Sequence, residues 1–442
     1  MTEFARRRAA FVEKMGDAVA VFPSAPPAVR SNDTMYLYRQ DTDLYYLTGF
    51  EEPESVLVLA PKHATTRSVL FVRPRDKERE TWDGRRAGIE GAVAEYGVDA
   101  AYPISEIDER LPGLIEGTPT LFYAFDRDEA FDRRIVALMS RARTARRRSD
   151  VGPVAVVDPS PILHEMRIFK SAADREGMRR AVAVSREGHI AAMMHSRPGM
   201  HEYELQAIVE YVFTSRGARD VAYSSIVAGG PNATILHYNT NRMRVADDAL
   251  VLIDAGAEVE YYCGDITRTW PMSGKFTPHQ RAIYEIVLSA QASCIEQCRP
   301  GVDFNTVVNN TAVKVLTEGL VDLGLLRGSV DENIESGAYK RYYMHRIGHF
   351  LGMDTHDVGC YRVGGAWREL APGMVVTIEP GIYVPDEPDV DERFRGIGVR
   401  IEDNMLITES GSENLSAGTP KTIDEVERTI AEGRASKVPL FA

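Results

Sequence analysis

Carboxylate residues follow apolar, β-branched segments at three places in the second half of the chain. Asp254 follows Leu-Val-Leu-Ile, Glu379 follows Val-Val-Thr-Ile, and Glu402 follows Gly-Val-Arg-Ile. The end of a buried strand is a costly place for a lone carboxylate, because the charge loses its hydration there. Three such residues in one region need cations as partners, so the pattern predicts a metal site.

Two further residues complete the candidate ligand set. Asp265 lies eleven positions after Asp254, and two strands joined by a tight turn would place these two carboxylates side by side. His349 lies between Gly348 and Gly352, which permit a close approach of the backbone. The candidate metal ligands are therefore Asp254, Asp265, His349, Glu379 and Glu402.

The chemistry of this set indicates the class of metal. Four carboxylates and one imidazole are hard, oxygen-rich donors that suit manganese, cobalt, iron or zinc in a catalytic site rather than a structural zinc site built on thiolates. Two divalent ions at a separation of about 3.5–4 Å would balance the four negative charges. A single ion would leave about two charges uncompensated in a buried pocket. We therefore predict a dinuclear centre bridged by water or hydroxide.

The elements that must hold these residues differ between the two halves of the chain. Short apolar strands alternate with charged helical segments up to about residue 165, which predicts a small α/β domain over residues 1–165. The proline-containing segment Asp158-Pro159-Ser160-Pro161 breaks the pattern, and a long helical pattern follows from Ser171. Strands separated by pairs of helices then indicate an α+β domain over residues 172–442.

Composition excludes several classes of protein. The chain has 442 residues and a net charge of −13, with 65 acidic against 52 basic side chains, which argues against nucleic acid as a partner. A run of arginines between positions 141 and 148 is interpreted as the solvated end of a helix. Neither a phosphate-binding GxxxxGK[ST] motif nor a GxSxG nucleophile motif is present in the sequence.

The sequence favours the cytoplasm and no membrane association. No segment approaches the length of about eighteen apolar residues that spans a bilayer, and the N-terminal region is charged throughout. The four cysteines form no CxxC pair, which fits a reducing compartment. Cys294 and Cys298 continue the apolar stripe of a predicted helix that begins at Thr277-Pro278, so we interpret them as core residues rather than as metal ligands.

Long sequence blocks around these residues resemble a known family. The blocks are ILHYNTN, LVLIDAGAEVEYYCGDITRTWPMSGKFT, MHRIGHFLGMDTHDVG, LAPGMVVTIEPGIYVP and RGIGVRIEDNMLIT, together with RSNDTMYLYRQDTDLYYLTGFEEPESVLVLAP in the first half. In this order they are similar to the pita-bread metallopeptidases, and most of all to the aminopeptidase P family. The resemblance implies a pita-bread (creatinase/methionine aminopeptidase-like) α+β catalytic domain preceded by a smaller α/β domain.

The resemblance also implies roles for the candidate ligands. Asp254 would bind one metal ion through both carboxylate oxygens, and Asp265 and Glu402 would bridge the two ions. His349 and Glu379 would complete the coordination of the second ion, and Glu379 would also take the proton from the bridging water. The implied cofactor is a pair of divalent ions, with manganese favoured over cobalt, zinc or iron.

Further site residues follow from the same blocks. His237, His345 and His356 match histidines that contact substrate in the family, where they would stabilise the oxyanion and shape the pocket for proline. Tyr383 and Arg400 match residues that orient the ligands. Arg400 lies two positions before Glu402, so both would share one face of a strand.

One position departs from the family pattern, which has a small residue directly after the first histidine of the His-Gly-x-Gly/Ser-His motif. Here the segment reads His345-Arg346-Ile347-Gly348-His349. We expect Arg346 to change access to the pocket or the preference for substrate, without abolishing metal binding.

The activity implied is hydrolysis of the bond between an N-terminal residue and a following proline in short peptides, by a homodimer or homotetramer. Prolidase, a dipeptidase with the same fold and metals, is the nearest alternative. Methionine aminopeptidase fits less well, because of the long N-terminal domain and the Arg-Ile-Glu-Asp-Asn segment. A non-catalytic pita-bread binding protein is the remaining alternative, although such proteins generally lose ligands and all five are present here.

Overall fold

The chain folds as two compact units that divide between Met166 and Arg167. The computed structural model describes residues 2–149 and 152–436. Within those residues, no helix is both long enough and apolar enough to cross a membrane.

The first unit is built on one six-stranded sheet. Its elements are α1 (Glu3–Met15), β1 (Val19–Pro23), β2 (Val29–Ser31), β3 (Thr34–Met35), α2 (Thr42–Thr48), β4 (Val56–Leu59), β5 (Ser68–Val72), α3 (Lys77–Asp83), α4 (Gly88–Tyr96), β6 (Ala100–Pro103), a 3₁₀ turn (Ile104–Glu106), α5 (Ile107–Leu114), β7 (Thr120–Phe122), α6 (Glu129–Ser149), β8 (Ala155–Val157) and α7 (Ser160–Ile168), which extends past the division.

The sheet of the first unit combines parallel and antiparallel pairs in the order β6-β5-β4-β1-β7-β8. All four residues of β4 are buried, as expected for a strand covered on both faces. The predicted alternation of short strands and helices is therefore confirmed for this unit. The arginine run lies on the last turns of α6.

The second unit contains the candidate ligands. Its elements are α8 (Ala172–His195), α9 (Glu202–Ser215), β9 (Asp220–Val221), β10 (Ile226–Gly229), a 3₁₀ turn (Gly230–Thr234), β11 (Leu250–Ala255), β12 (Ala257–Val259), β13 (Tyr262–Cys263), β14 (Ile266–Pro271), α10 (Pro278–Gln297), a π turn (Phe304–Val308), α11 (Asn309–Asp322), α12 (Val330–Ser336), a 3₁₀ turn (Ala338–Arg341), β15 (Arg362–Val363), β16 (Ala366–Trp367), β17 (Val375–Ile378), β18 (Gly381–Tyr383), β19 (Gly398–Arg400), β20 (Asp403–Ile407), β21 (Ser412–Asn414) and α13 (Ile423–Ala435).

Local sequence signals fix the ends of the long helices. The Ser171 side chain caps α8 in a reciprocal pair with Asp174, and Thr277 caps α10 with Pro278 as its first residue. The predicted start of α10 is therefore confirmed. Cys294 and Cys298 are both buried in the core of this unit, which confirms their interpretation as core residues.

Antiparallel strands dominate the second unit, and together with its helices they give the expected α+β class. The small sheets run in the orders β10-β11-β14, β17-β20-β21 and β18-β19. β11 pairs with β14 so that Asp254 lies opposite Thr267 and Ala255 opposite Ile266. Between these strands the chain makes the hairpin β12–β13, whose turn residues Glu260 and Tyr261 both have positive φ.

The backbone segments next to Asp254 and Asp265 pass close to each other at a pair of glycines, Gly256 and Gly264. A Cβ atom at Gly256 would lie 1.7 Å from the carbonyl oxygen of Gly264, so no side chain fits there. Moving this backbone would displace both carboxylates, because each is within two positions of one of these glycines.

Replacing Gly256 with alanine should therefore destabilise the second unit. We expect the Gly256→Ala variant to lose about 2 kcal/mol or more of unfolding free energy, measured by denaturant titration, because the neighbouring backbone must move. Gly411→Ala is the matched control, since a Cβ there meets no atom within 4 Å. Equal stability of the two variants would contradict this account of the strand pair.

Candidate metal centre

The β11–β14 pair brings the first two candidate ligands together, as the spacing predicts. The Tyr223 hydroxyl lies 2.5 Å from Asp254 Oδ1 and 2.6 Å from Asp265 Oδ1. A hydroxyl has a single proton and can donate it fully to only one of these oxygens. One hydroxyl between them thus holds the two carboxylates side by side.

Asp265 also belongs to a tight group with His349 and Glu402. One ligand atom from each of the three residues lies within 4.8 Å of the others, which is a spacing that suits one ion. His349 Nε2 is 3.3 Å from Asp265 Oδ2, whereas its Nδ1 is 2.9 Å from the Phe350 carbonyl oxygen. If Nδ1 donates to that carbonyl, the lone pair of Nε2 faces the carboxylates, as metal coordination requires.

Glu402 does not end a strand as the sequence pattern predicts. β19 ends at Arg400, and the backbone N–H of Glu402 donates to the carbonyl of Thr267 on β14 at 3.0 Å. The Thr267 hydroxyl then donates to Glu402 Oε2 at 2.7 Å. This cross-link to the neighbouring strand turns the glutamate toward Asp265.

Glu379 stands at the edge of the group, directly after β17. Its Oε1 is 3.6 Å from His349 Nε2, and its Oε2 is 4.0 Å from His345 Nδ1. The Thr377 hydroxyl donates to Glu379 Oε1 at 3.2 Å and accepts the backbone N–H of His349 at 3.0 Å. One threonine therefore sets the distance between Glu379 and the imidazole.

Asp254 lies outside the tight group because an arginine holds it. Arg400 donates to Asp254 Oδ2 at 2.6 Å, and this arginine is only 3 % exposed. A second nitrogen of Arg400 donates to the Tyr383 hydroxyl at 3.0 Å. The structure thus brings three of the five predicted ligands, Asp265, His349 and Glu402, within mutual reach. Tyr223 connects Asp254 to this group, and His349 contacts Glu379.

The carboxylates in this pocket repel one another strongly. Burial, together with the charges of Asp265, Glu379 and Asp254, raises the pKa of Glu402 well above its usual value. Burial also raises the pKa of Glu379 to about 7, although His349 and Arg400 oppose this effect. Such shifts identify a pocket with an excess of negative charge, and the oxygen-rich donor set around it fits a divalent metal ion.

The same carboxylate charges also raise the pKa of His349. Burial by itself lowers its pKa, but the hydrogen bond to Asp265 and the charges of Asp265 and Glu379 overcome that effect and raise it to about 9. In the metal-free protein the ring is consequently protonated at neutral pH. Coordination of an ion requires that proton to leave.

The three other predicted histidines line one cavity of about 500 Å³ with these residues. The lining comprises Tyr223, Ser224, Ile226, Leu236, His237, Asn239, Asp254, Asp265, His345, Arg346, Gly348, His349, Thr355, His356, Glu379, Arg400 and Glu402. The ring of His356 stands edge-on to His349, with 4.4 Å between centroids. Burial and the neighbouring His349 lower the pKa of His356, which favours its neutral form.

His345 has partners for both of its ring nitrogens. Nδ1 is 2.8 Å from the carbonyl oxygen of Arg346, and Nε2 is 2.7 Å from the Tyr383 hydroxyl. Burial and the nearby Arg400 lower its pKa to about 4, so the ring is neutral. Tyr383 therefore lies behind the cavity wall, between His345 and Arg400.

A buried ion-pair cluster fixes the segment that carries His356. Asp357 accepts hydrogen bonds from Arg167 at 2.7 Å and from Lys170 at 2.9 Å. Burial opposes ionisation, yet Lys170 and Arg167 hold the pKa of Asp357 below its usual value. Arg167 also pairs with Asp354 at 2.6 Å, so both ends of the segment 354–357 are anchored.

The sequence interpretation missed three residues of this site: Tyr223, Thr267 and Thr377. The two threonines carry a usable signal, because Thr267 lies two positions after Asp265 and Thr377 two positions before Glu379. Residues two apart on a strand share a face, so both could have been placed beside the ligands. Tyr223 has no such signal, since it reaches the carboxylates from a separate segment.

Comparison with known proteins gives consistent matches over both units. Residues 176–409 match the model of metallopeptidase family M24, and residues 4–123 match the model of the aminopeptidase P N-terminal domain. The chain is 43 % identical to an Escherichia coli (strain K12) Xaa-Pro aminopeptidase, over 98 % of both chains.

Solved structures agree with the sequence matches. The aminopeptidase PepP of Pseudomonas aeruginosa superposes with a TM-score of 0.96 at 48 % identity, and 98 % of each chain is covered. A zinc-substituted Escherichia coli aminopeptidase P in complex with product superposes with a TM-score of 0.94 at 43 % identity, again over 98 % of each chain.

The excess of carboxylates predicts how the metal-free protein responds to pH. Glu379, with its pKa raised to about 7, and His349, with its pKa raised to about 9, hold protons in the fold that the unfolded chain releases at lower pH. The contribution of these protons to the free energy of unfolding is complete at acidic pH. It is lost as the pH rises through the raised pKa values, by up to about 1.4 kcal/mol per pH unit for each group.

Thermal unfolding of chelator-treated and manganese-loaded protein between about pH 5 and pH 8 tests this prediction. The melting temperature of the metal-free protein should fall relative to the loaded protein as the pH rises, because bound cations replace the protons. A constant difference between the two curves would contradict the assignment of the charge excess.

Proposed function

Because the chain belongs to metallopeptidase family M24, we propose that this metal-dependent hydrolase removes the N-terminal residue from peptides whose second residue is proline. The observation that supports it most is the single cavity of about 500 Å³ lined by four carboxylates, one ligand-type imidazole and three further histidines. The Xaa-Pro aminopeptidase from Escherichia coli, 43 % identical, and an aminopeptidase P variant solved in complex with substrate, with a TM-score of 0.94, support the choice of peptide.

Two divalent ions are the proposed cofactors, with manganese favoured and cobalt, zinc or iron as alternatives. Asp254 would bind one ion, Asp265 and Glu402 would bridge both ions, and His349 and Glu379 would complete the second site. When bound, the pair would supply Lewis acidity and lower the pKa of a water molecule so that it can act as the nucleophile.

Glu379 is the proposed proton carrier. Its carboxylate lies between His349 and His345, and it borders the same cavity as the other candidate ligands. From that position it can accept the proton of the attacking water and deliver it to the proline nitrogen as the bond breaks. Thr377 holds it in place through Oε1 and leaves Oε2 directed toward His345.

The three cavity histidines have different proposed tasks. His237 and His356 make no hydrogen bond through their rings within the described part of the chain, so they are available as donors to the oxyanion of the scissile carbonyl. Both ring nitrogens of His345 are already engaged. We assign it to the wall of the proline pocket, where Tyr383 and Arg400 keep its orientation.

Proline at the second position explains why a dedicated enzyme is needed. The proline nitrogen is tertiary and its ring fixes φ, so the preceding peptide bond fits poorly into sites that bind an extended chain through its N–H groups. A cavity that binds the substrate mainly through side chains, such as the histidines and carboxylates here, does not depend on that missing N–H group.

We also propose the domain bounds, the compartment and the assembly of the enzyme. Residues 1–165 would form the N-terminal domain and residues 172–442 the catalytic domain. No disulfide bond joins any of the four cysteines in the described residues, which supports the cytoplasm. The family resemblance supports a homodimer or homotetramer that acts on short peptides. The acidic net charge argues against nucleic acid as a partner, and we propose no membrane partner.

A peptide-length series tests the proposed activity against prolidase activity. We expect the manganese-loaded protein to cleave Xaa-Pro-Yaa tripeptides and longer peptides at least about tenfold more efficiently than Xaa-Pro dipeptides, measured as kcat/KM from proline-side product release. Peptides with alanine in place of proline serve as the control. Preferential cleavage of dipeptides would assign the chain as a prolidase, and no cleavage of any peptide would favour a binding protein.

Metal analysis tests the dinuclear centre. Wild-type protein loaded with manganese and then desalted should retain close to two ions per chain, whereas Glu402→Gln, which removes a bridging charge, should retain one or none. Glu409→Gln is the control, because that carboxylate is exposed in the same unit. Equal metal content in Glu402→Gln and wild type would contradict the bridging role.

A further inference from the structure

Arg346 brings a positive charge into a cavity otherwise dominated by carboxylates. It lines the same cavity as His345 and Glu379, yet its side chain is exposed, so it lies at the mouth rather than at the buried floor. Asp265 and Glu402, by contrast, are 4 % and 1 % exposed. The cavity therefore has an anionic floor and a cationic mouth.

Neighbouring side chains hold the guanidinium of Arg346 in place. One of its nitrogens donates to Asn305 Oδ1 at 2.7 Å, and its Cζ lies 4.9 Å from the centre of the Trp367 ring. Asn305 comes from the π turn at residues 304–308, and Trp367 ends β16, so two separate elements fix the arginine. A guanidinium fixed in this way loses little conformational entropy when it binds a ligand.

No carboxylate neutralises this charge within the described residues. Arg346 makes no ion pair there, whereas Arg400 on the same cavity is paired with Asp254. A second arginine, Arg362, adds to the imbalance, because its Cζ lies 4.2 Å from the centre of the same Trp367 ring. Two guanidiniums on one indole repel each other unless an anion lies close to them.

The direction of a bound peptide determines which part of it meets Arg346. An aminopeptidase cleaves one residue from the free N-terminus, so that end of the peptide must lie inside, beside the metal. The chain beyond the scissile bond then leads outward through the mouth of the cavity. The first groups available to Arg346 are those that follow the proline.

We propose that Arg346 is a specificity-determining residue that binds a carboxylate located just after the proline of the substrate. The carboxylate can be the C-terminus of a tripeptide or the acidic side chain of the third residue in a longer peptide. A planar guanidinium held at its edge and on its face matches a carboxylate well. This inference rests on the proposed Xaa-Pro aminopeptidase activity.

Four peptides distinguish the two sources of the carboxylate. Ala-Pro-Ala is compared with Ala-Pro-Ala-amide for the terminal carboxylate, and Ala-Pro-Glu-amide with Ala-Pro-Gln-amide for the side chain. The manganese-loaded protein should cleave the acidic member of at least one pair about tenfold more efficiently in kcat/KM, the effect of one charge-assisted hydrogen bond. The preferred pair identifies the source.

Substitution of Arg346 tests its part in that preference. In Arg346→Gln the ratio of kcat/KM between acidic and neutral peptides should fall to near one, with the change mainly in KM, and Arg346→Lys should keep part of it. Arg428→Gln, which removes an exposed charge from α13, controls for a general effect of net charge and should keep the wild-type ratio.

The ratio separates failure of this inference from failure of the proposed activity. If wild-type protein cleaves none of the four peptides, the Xaa-Pro aminopeptidase activity is wrong. If it cleaves them with ratios near one, or if Arg346→Gln keeps the wild-type ratio, the activity stands and the role of Arg346 is overturned.

Discussion

Repulsion among buried carboxylates is the constraint on which the catalytic unit depends. Asp254, Asp265, Glu379 and Glu402 lie on or directly beside different strands, and the protein neutralises only part of their charge, through Arg400 and the protonated ring of His349. The surrounding strands must therefore hold these carboxylates in place against their mutual repulsion until cations bind. Threonine and tyrosine hydroxyls provide this hold, because they can orient a carboxylate without cancelling its charge.

Much of this site could be predicted from the sequence, since its signals are local. Apolar strand segments followed by a carboxylate indicated Asp254, Glu379 and Glu402 as buried charges that need partners. The spacing of Asp254 and Asp265 indicated a strand pair, and the register Asp254 opposite Thr267 agrees with it. These features depend on a few neighbouring residues, so one sequence was sufficient.

Other features depend on contacts between distant segments and could not be predicted in this way. The Tyr223 hydroxyl reaches two carboxylates from a segment with no motif, and the pairing of Asp357 with Arg167 and Lys170 joins residues more than 180 positions apart. The hydrogen bonds that occupy both ring nitrogens of His345, with Tyr383 and a backbone carbonyl, could not be predicted either. They depend on the rotamer of the ring. On this geometry we propose His345 for the second of its two expected roles, the wall of the proline pocket, rather than for donation to the oxyanion.

The strand pair that presents Asp254 and Asp265 has a consequence for the order of assembly. These two carboxylates meet through a hairpin excursion of a few residues, and such a local contact closes early and at little entropic cost. His349, Glu379 and Glu402 arrive from segments about a hundred residues later, so their contacts close late. A nascent chain thus displays two of the five candidate ligands before the other three exist, and the full ligand set forms only in the final stage of folding.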